Sequence, residues 1–330
     1  MEPVRLSGEE FAGILRSGEA YERVVDSGSR VVLVDGDRAP DMFDASSMQN
    51  LQTLPAVVVG EVADPERRRP AWADVVLGAD PRPLASIVST VQAVPLAATT
   101  LAVLLRNGDD RSVPEGLVAE STAYGLLQGG PEFAAWRRDH PPRRRAPVPG
   151  LEVLVSRQDH QLSITLNRPH VHNAFDAAMR DELLAALRVA SLDPSITSVV
   201  LAGTGDSFCS GGDLDEFGSR PDPVTGHLVR LQRNAGRAIA EVADRTTVRI
   251  HGATVGSGIE LAAFAHRVVA APSARISLPE VHLGLIPGAG GTVSLPRRIG
   301  RHATMLLALG LPSIDAHTAL RWGLVDEVEA

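Results

Sequence analysis

The hydrophobic and polar positions along the first half of the chain predict a small α/β unit. Three short runs of β-branched residues end near Gly or Asp and predict buried strands, at residues 30–34, 55–60 and 74–78. Apolar residues between Pro83 and Leu105 keep helical spacing, with Pro95 breaking or restarting the helix, and a further helix is predicted within residues 115–136. We therefore predict an N-terminal α/β unit over residues 1–136, whose function the pattern does not indicate.

The second half follows a polar stretch and repeats a strand–strand–helix order. Residues 137–150 contain five arginines and four prolines, which predicts a linker. After it, short apolar runs predict strands, and runs with apolar residues at helical steps predict helices. The predicted strands cover residues 151–155, 162–166, 199–202, 247–250 and 268–271, and the predicted helices cover residues 175–192 and 259–266. We predict a second unit over residues 151–330.

Composition narrows the class of protein. With 44% apolar and 22% charged residues in a chain of 330, there is enough material for a globular core. No apolar run is long enough to span a membrane, and the first residues have neither the basic start nor the apolar core of a secretory signal. A single cysteine excludes an internal disulfide framework and fits a reducing compartment. We expect a cytoplasmic protein that binds no membrane.

The charged residues exclude several functions. All 32 basic residues are arginines, which excludes lysine Schiff-base chemistry and a lysine-dependent phosphate loop. The net charge of −8 argues against nucleic-acid binding. No glycine-rich turn of the dinucleotide-binding type opens a helix after a strand, so no nicotinamide or flavin cofactor is expected, nor is a metal site.

Two glutamates, Glu260 and Glu280, carry the most specific chemical signal. Glu260 follows a Gly-Ser-Gly turn at the start of a run with helical composition, and Glu280 lies on a loop stiffened by Pro279 and Pro287. Backbone amides at such a turn can hold a developing oxyanion. Two carboxylates beside an oxyanion site predict proton transfer next to a carbonyl group.

Several further motifs occur in a fixed order around these glutamates. They are Arg168-Pro169, Asn173-Ala174, Phe208-Cys-Ser-Gly-Gly-Asp213, Gly258-Ile-Glu260-Leu-Ala, Pro279-Glu280, Pro287-Gly-Ala-Gly-Gly291 and Gly323-Leu-Val325. In this order and spacing the chain resembles the enoyl-CoA hydratase/isomerase (crotonase) family over about residues 151–330. The resemblance implies an α/β fold built as a spiral of ββα units, with the smaller α/β unit before it.

The resemblance also implies roles for individual residues. The backbone N–H groups of Ser210 and Ser257 would stabilise the enolate oxygen; Ser257 is a departure, because the family commonly has glycine there. Glu260 would be the base that deprotonates the attacking water, and Glu280 the acid that exchanges a proton with the α-carbon. The contacts to the CoA thioester would come from Arg168, His170, Val171, His172, Ala174, Gly211, Asp213, Leu214 and Gly256.

The implied activity is reversible hydration of an enoyl-CoA, with no cofactor beyond the CoA of the substrate and with a homo-oligomer, a trimer or hexamer, as the assembly. Enoyl-CoA isomerisation, or another enolate reaction such as cofactor-independent oxygenation of an arylacetyl-CoA, is an alternative on the same scaffold. A non-catalytic acyl-CoA-binding or scaffolding subunit is an alternative of another class. Relatives usually continue beyond the Gly-Leu-Val motif into helices that complete the acyl pocket. We therefore expect this C-terminal helical region to be missing, and either the N-terminal unit covers the pocket or the pocket is more open.

Overall fold

The computed structural model describes residues 2–143, 150–219 and 222–329. Part of the predicted linker, residues 144–149, lies outside these ranges. Within them the molecule is a mixed α/β structure with thirteen strands and thirteen α-helices, joined by loops and short 3-10 turns. No single described helix is long and apolar enough to cross a membrane. The consecutive helices Pro81–Ala93 and Pro95–Arg106 meet that criterion only together, and they bend by 113° at their junction.

The first 80 residues form a four-stranded parallel sheet with the order β1-β2-β3-β4. Its elements are β1 (Val4–Leu6), α1 (Gly8–Ser17), α2 (Ala20–Asp26), β2 (Val31–Asp35), α3 (Ala45–Gln52), β3 (Val57–Glu61) and β4 (Val75–Leu77). Strands β2, β3 and β4 confirm the three predicted strands. They are almost entirely buried because both faces of a parallel sheet are covered.

Four helices follow the sheet: α4 (Pro81–Ala93), α5 (Pro95–Arg106), α6 (Val113–Gln128) and α7 (Pro131–Asp139). Each has proline in its first turn, where the missing N–H costs nothing. Helix α6 also begins with a capping box between Ser112 and Glu115.

The predicted linker begins at Arg137, which lies inside helix α7. Arg137 fixes this helix by donating to the carbonyl oxygens of Leu214 (2.9 Å) and Phe217.

The second half contains a six-stranded sheet and a smaller three-stranded one. The six-stranded sheet has the order β13-β10-β8-β7-β6-β5, and the smaller sheet has the order β12-β11-β9. The strands are β5 (Val153–Gln158), β6 (Gln161–Leu166), β7 (Ser198–Gly203), β8 (Thr246–Ile250), β9 (Ala253–Val255), β10 (Arg267–Ala270), β11 (Arg275–Ser277), β12 (Ile314–Asp315) and β13 (Glu327–Val328). The helices are α8 (Ala177–Leu192), α9 (Pro223–Gln232), α10 (Ala235–Ala240), α11 (Ser257–Ala262), α12 (Gly291–Leu309) and α13 (Ala316–Trp322). The spiral of ββα units stays a prediction.

The hydrophobic core is continuous across the predicted domain boundary. One cluster of buried side chains includes Leu101 of α5, Leu117 of α6, Ile259 of α11 and Val293 of α12. Helix α12 packs against α4, α5 and α6 as well as against α11. A second cluster, centred on Phe11 and Trp72, covers the other side of the four-stranded sheet. The boundaries at residues 136 and 150 stay a prediction from sequence, whereas the packing joins α4–α6 to the second half.

Candidate active site

Glu260 lies in helix α11, directly after a tight turn. The turn needs glycine at position 256, where φ is 49°, and a Cβ there would lie 2.0 Å from a carboxylate oxygen of Glu280. Glu260 is 1% exposed, and its Oε2 accepts hydrogen bonds from the backbone N–H groups of Ala289 (2.7 Å) and Gly291 (2.8 Å). The carboxylate is thus fixed by the loop that precedes helix α12.

Glu280 reaches the same place from a 3-10 turn, Glu280–Leu283, that begins after Pro279. Its side chain is 8% exposed, and its Oε2 is buried without a hydrogen-bond partner among the described residues. A buried carboxyl oxygen that lacks a donor is unfavourable when charged. Glu280 is therefore poised to carry a proton.

The pKa values of the two carboxyl groups respond to different surroundings. Burial raises the pKa of Glu260 to about 7, while the N–H groups of Ala289 and Gly291 oppose this rise. Burial, and then the neighbouring charge of Glu260, raise the pKa of Glu280 well above its ordinary value. Near neutral pH the pair can hold one ionised and one protonated carboxyl group, the arrangement that acid–base catalysis requires.

Helix α6 contributes two residues that the sequence did not single out, Glu120 and Tyr124. Glu120 is 1% exposed, and its carboxylate accepts hydrogen bonds from Gly290 N (2.8 Å), Thr292 N (2.9 Å) and Thr292 Oγ1 (2.7 Å). Burial, and then the charge of Glu260, raise the pKa of Glu120 to about 8. The signal available in the sequence is one acidic residue on a helix face that also carries Leu117, Tyr124 and Leu127, all of them buried.

These elements enclose a cavity of about 170 Å³, which we call the central cavity. It is smaller than the roughly 300–1,000 Å³ of pockets for drug-sized ligands, so it suits the reacting part of a larger substrate. Its lining residues are Tyr124, Phe175, Arg180, Gly212, Phe217, Arg230, Arg233, Asn234, Ala235, Ser257, Glu260, Leu261, Glu280, Gly288 and Ala289. The structure thus brings the two predicted catalytic glutamates and Ser257 together.

Comparison with known proteins gives one family. The family model for enoyl-CoA hydratase/isomerase matches residues 157–330. The chain belongs to the enoyl-CoA hydratase/isomerase family. It is 37% identical over 177 residues to an Escherichia coli K12 protein named 2,3-dehydroadipyl-CoA hydratase, a match covering 54% of this chain and 69% of the relative.

Solved structures of the family agree with this assignment. The enoyl-CoA hydratase from Thermoplasma volcanium GSS1 has a TM-score of 0.51 and 30% identity, with 55% of this chain and 72% of that chain covered. The enoyl-CoA hydratase from Bacillus anthracis has a TM-score of 0.50 and 32% identity, with 54% and 70% covered. The chain is thus a crotonase-type acyl-CoA enzyme by family. Tyr124 lies outside the family match and lines the cavity, so the first half supplies part of the cavity wall.

The two oxyanion donors expected in the family differ in their surroundings. Ser257 lines the cavity and is the first residue of helix α11, where an N–H group has no acceptor within the helix. The N–H of Ser210 donates to the carbonyl oxygen of His172 (2.9 Å). Ser210 can serve as an oxyanion donor only if a substrate oxygen replaces that carbonyl.

The predicted CoA-contact residues surround a short loop. His170 and Val171 lie in a 3-10 turn, and His172 follows with a left-handed φ of 54°. Ala174 is buried, whereas Leu214 is 45% exposed. Gly211, with φ of 99°, passes close to Val255, and Gly256 lies against Glu280. Contact of these residues with CoA stays a prediction.

The side chains of Arg168 and Asp213 are bonded to other residues of the protein. The guanidinium group of Arg168 lies 3.3 Å from Glu152, 3.0 Å from Asp176 and 3.2 Å from Asp213. It also donates to the carbonyl oxygen of Ala174. Their side chains hold the loop in place, so any contact they make with CoA would come from the backbone. No group of three or more His, Cys, Asp or Glu in the described ranges could hold a metal ion.

Proposed function

We propose that this protein catalyses the reversible addition of water across the α,β double bond of an enoyl-CoA thioester. The observation that carries the proposal is the pair of buried carboxyl groups, Glu260 and Glu280, in one cavity, with both pKa values raised but only Glu260 held by backbone N–H groups of the loop before helix α12. The name of the Escherichia coli relative, a hydratase of an unsaturated CoA thioester, supports it.

In the proposed reaction the ionised Glu260 takes a proton from water while the water oxygen bonds to the β-carbon of the thioester. The electron pair of the double bond moves to the thioester oxygen, where the amide of Ser257 stabilises the enolate. Glu280 then gives its proton to the α-carbon, which completes the addition of one water molecule. Glu260 returns its proton to Glu280 through solvent, so each group recovers its starting state.

Double-bond isomerisation is the second candidate. It needs one carboxyl group that removes a proton from one carbon and returns it to another. Glu280 meets this need because one of its oxygens has no partner in the described structure. Glu260 differs, since its Oε2 is already bonded to two backbone N–H groups.

The homo-oligomer implied by the family resemblance stays a prediction.

Glutamine substitutions separate the two candidates. For hydration, Glu260→Gln and Glu280→Gln should each lower kcat by about 10²- to 10⁴-fold, since each removes a proton-transfer group. The measurement is the decrease in absorbance of an enoyl-CoA with purified variants whose unfolding midpoints match the parent protein. Turnover of both variants near the parent rate would contradict the two-carboxylate mechanism. Loss in Glu280→Gln alone would favour isomerisation.

A further inference from the structure

Among the described residues, one cation in the wall of the central cavity, Arg230, forms no ion pair with a carboxylate. Arg230, on helix α9, donates from Nε to Ser121 Oγ (3.1 Å) and from Nη2 to the Ser121 carbonyl oxygen (3.4 Å). Its Cζ lies 4.5 Å from the centre of the Tyr124 ring, a cation–π distance. These contacts hold the guanidinium group beside Tyr124, which itself lines the cavity.

The other two arginines of the cavity wall are paired. Arg180 donates to Asp181 Oδ1 (2.9 Å), and Arg233 donates to Asp181 Oδ2. Arg230 forms no ion pair with any residue in the described ranges, and its Nη1 has no hydrogen-bond acceptor there. Burial lowers the pKa of Arg230, which reflects the cost of keeping this charge away from water. A partly buried, unpaired cation in a cavity wall favours an anionic ligand.

We infer that Arg230 binds a carboxylate at the distal end of the acyl chain, so that the substrates are short enoyl-CoA thioesters carrying a terminal carboxyl group. This inference rests on the proposed function, because Ser257, Glu260 and Glu280 fix the position of the thioester. Arg230 lines the same cavity as these three residues, and we assign an anion bound there to the other end of the acyl group. The cavity of about 170 Å³ contains both ends, so the chain between them is short.

Arginine suits this role because its planar guanidinium group can donate two parallel hydrogen bonds to a carboxylate. Nη1 can donate one of these bonds. Nη2 can donate the other in place of its long hydrogen bond to the Ser121 carbonyl oxygen (3.4 Å). Asp181 does not compete for Arg230, because it is bonded to Arg180 and Arg233. Among the described residues Arg230 is therefore the arginine of the cavity wall that is left to bind an anion.

The test compares two substrates of equal length in the full-length protein, trans-2-hexenoyl-CoA and its terminal-carboxylate analogue 2,3-dehydroadipyl-CoA. We expect kcat/KM to be about 10- to 100-fold higher for the carboxylate, the scale of one charge-assisted hydrogen-bonded pair. Arg230→Met should bring the ratio of the two kcat/KM values close to one, and Arg230→Lys should keep part of the preference. Arg188→Met, which removes an exposed arginine of helix α8, is the matched control and should leave the ratio unchanged.

Two results would overturn the inference while leaving hydration in place. One is equal kcat/KM for the two substrates in the parent protein. The other is an equal loss for both substrates in Arg230→Met, which would show that Arg230 only ties helix α9 to helix α6. If neither substrate is hydrated, the proposed function fails. Calorimetry with the saturated thioesters adipoyl-CoA and hexanoyl-CoA then still tests whether Arg230 binds the terminal carboxylate. Tighter binding of adipoyl-CoA that Arg230→Met abolishes supports the carboxylate site, and equal affinity refutes it.

Discussion

At the scale of single residues, the site depends on the different surroundings of two glutamates, Glu260 and Glu280. Glu260 receives two backbone N–H groups and Glu280 receives none on its buried Oε2 within the described residues. Hydrogen bonds from donors favour the charged form of a carboxyl group, and burial without donors favours the neutral form. The loop from Gly288 to Gly291 therefore favours the proposed roles, with Glu260 as the base and Glu280 as the acid.

This difference predicts the pH dependence of hydration. Since the pKa of Glu260 is raised to about 7, its ionised fraction grows as the pH rises through 7, and kcat/KM should rise with it. At higher pH the activity should fall when Glu280, whose pKa is raised well above its ordinary value, loses its proton. A rate profile from about pH 5.5 to 9.5 with one enoyl-CoA measures both limbs. A profile already flat below pH 6 would contradict Glu260 as a base with a pKa of about 7.

The sequence predicted these two glutamates because short motifs surround them, and the structure places both in one cavity. Glu120 and Tyr124 were not predicted, because no local motif marks them. Their importance comes from the packing of helix α6 against helix α12, which joins residues about 170 positions apart. The carbonyl of His172 bonded to Ser210 N was also beyond a sequence argument, since it depends on two left-handed residues, His172 and Asn173.

At the scale of elements, two helices begin with a cap supplied by a distant helix. The N-cap residue of helix α12 is Gly290, which has no side chain to cap the helix, and Glu120 of helix α6 accepts from Gly290 N and Thr292 N instead. The N-cap residue of helix α5 is Val94, and Glu132 of helix α7 accepts from Leu96 N (2.7 Å) and Ala97 N (2.9 Å). Carboxylates are favourable at helix N-termini because of the unpaired N–H groups and the helix dipole.

The cap on helix α12 predicts a large effect of Glu120→Ala on stability. The substitution leaves two N–H groups and the Thr292 hydroxyl buried without an acceptor, so the free energy of unfolding should fall by about 3–5 kcal/mol. Glu120→Gln keeps one acceptor oxygen and should lose less. Glu115→Ala, on the same helix but exposed, is the control and should lower the free energy of unfolding much less, because its capping-box bonds to Ser112 can be replaced by water. Urea unfolding measures all three, and equal losses for Glu120→Ala and Glu115→Ala would contradict the cap.

Glu120→Gln should also flatten the pH dependence of stability. The pKa of Glu120 is raised to about 8 in the folded protein, so the folded state holds this proton at pH values where the unfolded chain has lost it. The free energy of unfolding of the parent should therefore fall as the pH rises from about 6.5 to 8.5, and the variant should fall less. His302, whose pKa is lowered from 6.5 to about 4 in the folded protein, is still partly protonated in the unfolded chain near pH 6.5, so it opposes this fall only at the lower end of the window.

The elements themselves followed from the sequence to a large extent. The β-branched runs became β2, β3 and β4, and the helical spacing before Pro95 became helix α4. Which elements pack together could not be predicted from the sequence, because the caps and the buried faces bring together residues that are far apart in the chain. A boundary drawn from composition alone therefore fell in helix α7, where Arg137 bonds the segment after Asp213.

At the scale of the whole molecule, a buried charged cluster joins the first 80 residues to the rest. Arg106 of helix α5 and Asp74 are 3% and 1% exposed, and Arg106 Nε donates to Asp74 Oδ1 (2.7 Å). Arg301 of helix α12 lies 3.6 Å from the same carboxylate and donates to the carbonyl oxygen of Ala73 (2.8 Å). Breaking such a pair leaves charges buried without a partner, which is strongly unfavourable. The first 80 residues, helix α5 and helix α12 thus share one polar centre.

The shared core predicts that the second half cannot fold alone. A fragment of residues 151–330 would expose the face of helix α12 that helices α5 and α6 cover, and it would lack Glu120 and Tyr124. We expect it to aggregate and to show no hydration activity, because large exposed apolar patches associate. Co-expression with residues 1–143 should restore solubility and activity, since the two pieces bury a common core. Gel filtration and the enoyl-CoA assay on both preparations provide the measurement. A fragment that stays monomeric, unfolds cooperatively and matches the parent rate would show that the first half neither covers nor completes the cavity.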